Sequence, residues 1–406
     1  MRRKEPYRIL IIHNYYQIPG GEDTVVSNEK RLLEEHGQAA FFYMRNNREM
    51  GGFSIFQRLW LPVQTVFSFK TYFEVKHLIR EEHIDLVHVH NTWNLISPSV
   101  YYAAFRCKVP VVQTIHNFRL LCPAATFVKK SVLCEDCIKK GLTCSVKGRC
   151  YRNSRLQTLA SAFTLKVHRI AGTYGKLYYI CLTKFNKEKL LQINGRGKQL
   201  IAPERVLIKP NFTWTEKSPY PSAKRKNQFL YVGRLDALKG IRLLLEAWSM
   251  IKDFKLLICG GGAEESWIEA FLEENHIDNV QLLGQTNHEQ VLKLLQESKA
   301  LIMPSQWYEG QPMVILESYS VGTPVLGSRL GNVKDMIEEG ITGCTFSHDK
   351  PEELCSIIQN FPKFDEDVIR RHFDKNYGSE QNYKKLMDIY EQAIKDVHNE
   401  KSSHHH

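Results

Sequence analysis

"FLYVGRLDALKG", residues 229–240, runs from an apolar strand through a glycine turn into the start of a helix. Phe229–Val232 is a short apolar run closed by Gly233, and Gly240–Ile251 carries apolar residues at helical spacing. A strand feeding a helix through a short loop is the building unit of a parallel sheet. The unit recurs on the C-terminal side: strands are predicted at Lys255–Cys259, Val280–Leu283, Ala300–Met303 and Pro324–Leu326. Helices fit between them at Ser266–Glu274, His288–Glu297 and Pro312–Val321. The N-terminal half repeats the alternation. Its strands are predicted at Arg8–His13, Ala40–Tyr43, Leu86–His90 and Val111–Ile115, with helices at Thr24–His36 and Phe73–His83. The fold class is therefore α/β, with two Rossmann-like, doubly wound parallel-sheet domains and an interdomain cleft at the carboxyl ends of the strands. Lys209–Asn227 is polar and proline-bearing with no apolar period, which sets the domains at 1–206 and 207–379. A helix over about 380–400 is expected to pack back on the first domain.

A chain of 406 residues can bury two cores. KSSHHH at the end reads as an expression-tag remnant. The basic start loses its apolar stretch at His13, too early for a signal peptide. No run approaches the ~18 apolar residues of a spanning helix, so a soluble, cytoplasmic protein is expected. The net charge of +11 is unevenly spread. Residues 1–206 hold 32 Lys and Arg against 15 Asp and Glu, whereas residues 207–406 hold 23 against 29. A positive field on the first half points to an anionic partner, or else to a solvated basic surface.

The chemistry gathers where the C-terminal strands end. Arg234 and Lys239 lie in a strand-to-helix loop, where two cations beside a helix start suit a diphosphate. Gly260, Gly261 and Gly262 follow the next strand and allow close backbone approach, although a glycine triplet is more often a tight turn. "WYEGQPMVILES", residues 307–318, sets Glu309 just before a helix that Pro312 is suited to begin, and Glu317 inside it. A carboxylate on an apolar face needs hydrogen-bond donors. The vicinal hydroxyls of a ribose would supply them to Glu317 while phosphates reach Arg234 and Lys239. The alternative is a capping Glu309 and an exposed Glu317.

With those pieces in place, the chain resembles a family 4 glycosyltransferase of the GT-B fold over nearly its full length. The resemblance rests on "PGGEDTVV", "DLVHVHN", "VVQTIHNFRLLCP", "YVGRLDALKG" and the spaced glutamates of "EGQPMVILE". It implies transfer of a sugar, with retention, from a nucleotide diphosphate sugar held by the C-terminal domain to an acceptor held by the N-terminal one. It implies that Glu317 binds the ribose, that Arg234 and Lys239 neutralise the leaving diphosphate, and that Glu309 with Gly310, Gln311, Pro312 and Met313 holds the transferred sugar. Gly20 and Gly21 would lie against the phosphates, Gly261 beside the nucleotide, and His116 near the anomeric carbon. No catalytic metal is implied, and Glu309 is not assigned as a covalent nucleophile.

Two features bear on partners. Five of ten cysteines fall between Cys122 and Cys150. Cys122, Cys134, Cys137 and Cys150 could bind a structural zinc in the 118–152 insertion, with Cys144 in reserve; free thiols are the equal alternative. Arg58–Lys76 interleaves aromatics and cations, and Arg155–Lys176 reads as a basic amphipathic helix with Leu156, Leu159, Phe163 and Val167 on one face. Each could pack on its own domain. Together with the charge they favour an anionic membrane surface and a polyprenyl diphosphate-linked saccharide acceptor in capsule or surface polysaccharide synthesis. The protein would then be peripheral on the inner face of the cell membrane. A nucleotide-sugar epimerase or a glycogen-type synthase could share the fold. Nucleic-acid binding would explain the charge but leave the glutamate pair idle, so no nucleic acid is expected.

Overall fold

The computed structural model describes residues 5–17, 20–195, 197, 199–214 and 225–403, without the side chains of 400–403. Packing divides the chain into two units. One comprises Met1–Lys129, Cys134–Lys209 and Asn382–His406, and the other Lys130–Leu133 and Pro210–Gln381.

The first unit is built on six parallel strands: β1 (Arg8–Tyr15), β2 (Ala39–Asn46), β3 (Leu86–Asn91), β4 (Val111–Ile115), β5 (Tyr178–Cys181) and β6 (Val206–Ile208). They lie in the order β2-β1-β3-β4-β5-β6. Ile9 and Ile11 of β1, Leu86 of β3, Val112 of β4 and Ile180 of β5 share one core with Val26 and Leu33 of the helix Gly21–Glu35. Buried on both faces, such strands read as continuous apolar runs, which is why β1, β3 and β4 were legible. β5 and β6 were not predicted, being four and three residues long, too short to show a period. Because β6 belongs to the first sheet, that sheet runs past residue 206. The helix Ser379–Ser403 contributes Leu386, Ile389, Tyr390 and Ala393 to the same core.

The second unit repeats the scheme with β7 (Gln228–Val232), β8 (Lys255–Cys259), β9 (Val280–Gly284), β10 (Leu301–Met303), β11 (Val325–Ser328) and β12 (Gly343–Phe346). Their order is β9-β8-β7-β10-β11-β12. The helix Ile241–Trp248 buries Ile241, Leu244, Leu245 and Trp248, covering one face of this sheet. β12 was also missed by the sequence reading. Much of the proposed linker, 215–224, lies outside the described residues, as does Pro19 of "PGGEDTVV". The flanks of that linker are built in. Arg225 is buried against Glu366 at 2.6 Å and donates to the carbonyls of Ser298 and Leu295.

One departure and one choice between alternatives matter for function. The helix expected over Arg155–Lys176 ends at Ile170, because Gly172 adopts φ +66° and a short 3-10 turn, Thr173–Lys176, follows. Its apolar face does not pack on its own domain: Thr158, Ser161, Ala162, Thr164, Leu165 and His168 are buried, while Leu156, Leu159 and Phe163 face solvent. Among the described residues no helix is long and apolar enough to cross a membrane.

Close approach of neighbouring loops explains two glycines. Gly260 has φ +140° and a Cβ there would fall 1.8 Å from the Gly233 carbonyl oxygen. Gly240 has φ +76°, and its Cβ would fall 1.8 Å from the carbonyl oxygen of Pro304. Neither the dihedral nor the space admits a side chain, so Gly240→Ala should cost about 2 kcal/mol or more of stability. An unchanged urea midpoint for that variant would show that the two loops separate readily.

Candidate functional site

The order of the second sheet reverses between β7 and β10, and in open α/β sheets ligands bind at such switch points, beyond the carboxyl ends of the strands. The loop after β7 carries Arg234 and Lys239, and the loop after β10 carries Glu309. Lys239 Nζ lies 2.8 Å from Glu309 Oε1 and 3.0 Å from Oε2. The Ser305 hydroxyl and the Trp307 indole N–H also donate to Oε1, at 2.7 and 2.8 Å. Burial pushes the Glu309 carboxyl up, but Lys239 and these two donors outweigh it and hold it below the usual range. Its stabilising contribution is therefore complete above the ordinary carboxylate range and is lost as pH falls through the depressed value.

The sequence reading gave Lys239 to a diphosphate and Glu309 to sugar hydroxyls. The structure joins these side chains to each other, and a ligand must share or displace that pairing. Arg234 differs: its side chain is 65 % exposed and rests 3.2 Å from Asp236, leaving a cation free to swing onto a phosphate. Asp236 caps the turn Ala237–Lys239 by accepting from the Lys239 N–H.

The "EGQP" segment is held from below, since the Asn332 side-chain amide donates to the carbonyls of Glu309 and Gly310. The sugar contact expected of Gln311 was through its backbone N–H; its side-chain oxygen accepts from the Asn211 backbone N–H at 2.6 Å and so fixes the loop. Pro312 is the residue that caps the helix Met313–Ser320, one position before the first turn predicted for it. Glu317 projects from that helix with its side chain 15 % exposed, and its carboxylate lies 3.6 Å from the His288 ring. Burial pushes its pKa up, and His288 opposes the shift only in part. This carboxylate lacks the donors that Glu309 has. Gly261 is looser than its neighbours, because a Cβ there would meet the carboxylate end of Glu265 at 3.0 Å.

In the first unit the order reverses between β1 and β3. Gly20 and Gly21 open the helix Gly21–Glu35, and a Cβ on Gly20 would meet nothing within 4 Å. His116 follows β4 and borders a cleft that is also lined by Asn91, Trp93, Asn117 and Arg119. Behind it lies a polar cluster that the sequence reading did not single out. His90 Nδ1 lies 2.9 Å from His116 Nε2, and His90 Nε2 lies 3.3 Å from Glu29 Oε2. His88 Nε2 meets the Thr114 hydroxyl at 2.8 Å and its Nδ1 meets the Tyr390 hydroxyl at 2.7 Å. Lys209 donates to Glu29 at 2.8 Å and to Asn382 at 2.9 Å. Nearby, His13 Nε2 lies 2.8 Å from Asp23, and burial pushes the Glu22 carboxyl up to about 8 although Tyr16 donates to it. The available signal was the pair of histidines in "DLVHVHN", two polar residues on one face of an otherwise apolar strand.

Metal sites were tested on the donor atoms present. No three of the cysteines bring their sulfurs within 4.8 Å of one another; among the described residues that spacing is met by Glu29, His88 and His90. Of the two alternatives for Cys122, Cys134, Cys137 and Cys150, a zinc cage or free thiols, the structure shows the thiols free and not drawn into a cage. Cys137 hydrogen-bonds to Cys122, which lowers the Cys122 thiol to about 6 and raises that of Cys137. The Glu29 cluster already holds its cation, the Lys209 ammonium. The chain contains one Asp-x-Asp, Asp365–Asp367, and it is structural. Asp365 caps the helix Glu366–Tyr377, and Glu366 pairs with Arg225.

Comparison with known proteins agrees with this architecture. The family model for glycosyl transferases group 1 matches residues 212–376, and that for a glycosyl transferase 4-like domain matches residues 36–158. The glycogen synthase of Thermus thermophilus is 26% identical over 219 residues, 50% of this chain and 49% of that protein. The amylovoran biosynthesis glycosyltransferase AmsK of Erwinia amylovora is 24% identical over 180 residues, 40% of this chain and 44% of its own. The chain spans about half or less of the length of the curated relatives it matches. Anabaena Alr3699/HepE, solved in complex with UDP and glucose, superposes with a TM-score of 0.63 at 15% identity, covering 95% of this chain and 100% of that one. The two units are those of the GT-B fold. The chain belongs to the family 4 type of glycosyltransferases, with a 4-like domain followed by a group 1 domain.

The Lys239–Glu309 pair gives a direct test. Removing Lys239 leaves a buried carboxylate without its cation, a loss of about 3–5 kcal/mol. Lys239→Met should therefore lower the melting temperature sharply, and adding Glu309→Gln should recover part of the loss. The double-mutant cycle should return a coupling of about 1–3 kcal/mol; additive losses would mean that the pair does not interact in solution.

Proposed function

We propose that this protein transfers a sugar, with retention of anomeric configuration, from a nucleotide diphosphate sugar to a saccharide carried on a polyprenyl diphosphate, during assembly of a surface polysaccharide. The observation that carries the donor half is the grouping of Arg234, Lys239 and Glu309 at the switch point of the second sheet, with Glu317 on the helix that follows. In this reading Arg234 moves from Asp236 onto the diphosphate, and Lys239 shares its charge between Glu309 and the leaving phosphate. Glu309 and the backbone from Gly310 to Met313 hold the sugar, and Glu317 accepts from the ribose hydroxyls. Gly20 and Gly21 leave room for phosphate, Gly261 lies against the nucleotide, and His116 faces the sugar near its anomeric carbon. The UDP seen in Anabaena HepE supports a nucleotide donor, and the name of the Erwinia relative supports a polysaccharide product. No metal takes part in this scheme.

Glu317 makes donor binding pH-dependent. Its carboxyl titrates above the ordinary range, and only the ionised form accepts from both ribose hydroxyls. Nucleoside diphosphate affinity should therefore fall as pH is lowered through that raised value, earlier than an ordinary glutamate would allow. Calorimetric titrations across pH should show Glu317→Gln binding on the order of tenfold more weakly at neutral pH, with that pH dependence gone. The same profile in both proteins would remove Glu317 from the ribose.

The acceptor half rests on the first unit. The helix Ile55–Val66 packs against Arg155–Ile170. Both expose apolar side chains: Phe56 is 84 % exposed, Leu59 73 %, Leu156 79 % and Phe163 53 %. Exposed Arg58, Arg155 and Lys166 accompany them. Apolar residues beside cations suit the surface of an anionic bilayer, here the cytoplasmic face of the cell membrane. Arg169 does not belong to this face, because its guanidinium is turned inward to the Leu120 carbonyl. A glycogen-type synthase of the same fold is the second reading, favoured by the Thermus relative, and such an enzyme would ignore lipid. Phe56→Ser, Leu156→Ser and Phe163→Ser together replace exposed residues and should shift stability little. They should abolish sedimentation with anionic vesicles while leaving nucleotide affinity unchanged. Wild-type protein that ignores such vesicles would favour the synthase.

A further inference from the structure

The cluster behind His116 has an order to it. Glu29 and Lys209 are removed from water, their side chains 0 % and 1 % exposed. Lys209 Nζ is within 2.8 Å of Glu29 Oε1, leaving Oε2 to face the two histidines. His88 has both ring nitrogens engaged, by Thr114 and by Tyr390. His90 Nε2 and Glu29 Oε2 are both buried without a hydrogen-bond partner and lie 3.3 Å apart, so His90 is the ring with a nitrogen to offer Glu29, and its other nitrogen meets His116.

Charge balance then limits the proton positions. Lys209 already neutralises Glu29, so a second cation on His90 would leave net charge where water does not reach. A neutral imidazole has one N–H and one acceptor nitrogen. A carboxylate only accepts, so the His90 proton belongs on Nε2, toward Glu29. His90 Nδ1 must then accept, and the donor to it is His116 Nε2. Burial, with His90 beside it, holds the His116 ring well below its ordinary pKa, which keeps it neutral. The remaining nitrogen, Nδ1, is left as an acceptor.

We propose that Glu29, acting through His90 and held by Lys209, fixes the tautomer of His116 so that its Nδ1 accepts a hydrogen bond from a hydroxyl of the bound sugar. His90 and Glu29 are positioning residues. This inference rests on the reading above that places His116 against the sugar. The logic is that of a ring whose free nitrogen is set by the hydrogen bond its other nitrogen makes.

Glu29→Gln reverses the logic with little change in shape. The amide oxygen must face Lys209, so the amide nitrogen faces His90 and donates to Nε2. His90 Nδ1–H then donates to His116 Nε2, and His116 carries its proton on Nδ1. Ring nitrogen-15 spectra of histidine-labelled protein, with His116 assigned by its loss in His116→Gln, read this directly. Wild type should show His116 protonated on Nε2, and Glu29→Gln should show it protonated on Nδ1. In assays with a nucleotide-sugar donor, Glu29→Gln should lower kcat on the order of tenfold or more and leave donor KM within about twofold. If Glu29→Gln does not fold, the wild-type spectrum alone decides. A wild-type His116 protonated on Nδ1, or a doubly protonated His90, overturns the inference. Absence of transfer with every donor would overturn the proposed reaction, and the ring spectrum would still decide the tautomer.

Discussion

A carboxylate taken out of water stays ionised only where donors and a cation replace that water, and in each unit of this chain one pair at the candidate site meets the condition. Glu29 has Lys209, and Glu309 has Lys239. In each case the partners are far apart in sequence, 180 and 70 residues, so the pair forms only when the sheet is complete. Breaking either pair by removing one member leaves a buried charge, which costs more than the intact pair contributes. Lys209 also donates to Asn382, the point from which the C-terminal helix packs on the first sheet, and Tyr390 of that helix meets His88. The same charge balance thus fixes the last strand, the first helix, the last helix and the two strand histidines in one arrangement.

The sheets determine where such pairs are useful. Reversal of strand order opens a crevice beyond β7 and β10, and the loops that leave those strands bring Arg234, Lys239 and Glu309 together. Gly240 and Gly260 let the loops approach closely, and Asn332 and Gln311 hold the "EGQP" turn from beneath. Glu317 is left short of donors by this construction. A folded protein that keeps a largely buried carboxyl against one histidine at 3.6 Å has a position whose energetics improve when a ligand brings hydroxyls.

What the sequence disclosed follows from the physics of its signals. β1, β3, β4, β7 and β8 are buried on both faces, so their apolar runs were unambiguous, and the strand–turn–helix units placed Arg234, Lys239 and Glu309 in the loops between strand and helix, and Glu317 within the helix that follows. β5, β6 and β12 are three or four residues long and carry no period. The Lys239–Glu309 pairing and the side-chain role of Gln311 were hidden because they depend on contacts across 70 and 100 residues. Glu29 was hidden for another reason. It sits at a helical position among valines and leucines where an isolated glutamate ordinarily points to solvent, and only the fold brings Lys209 to it.

The helix Arg155–Ile170 shows how far a periodic signal reaches. Helical spacing of Leu156, Leu159 and Phe163 establishes that one face is apolar, but not which face the protein covers. Here the packed face joins Leu165 and His168 to Thr158, Ser161, Ala162 and Thr164, small side chains that let a neighbouring element come near, with threonine hydroxyls turned back to the carbonyls of Ser154 and Ala160. The apolar face is then turned to solvent beside a second helix, Ile55–Val66, that does the same with Phe56, Leu59 and Trp60. Single exposed apolar residues are ordinary on a protein surface, whereas here two adjoining helices both turn such residues outward. Water is a poor solvent for that surface, whose apolar residues lie beside the exposed cations Arg58, Arg155 and Lys166.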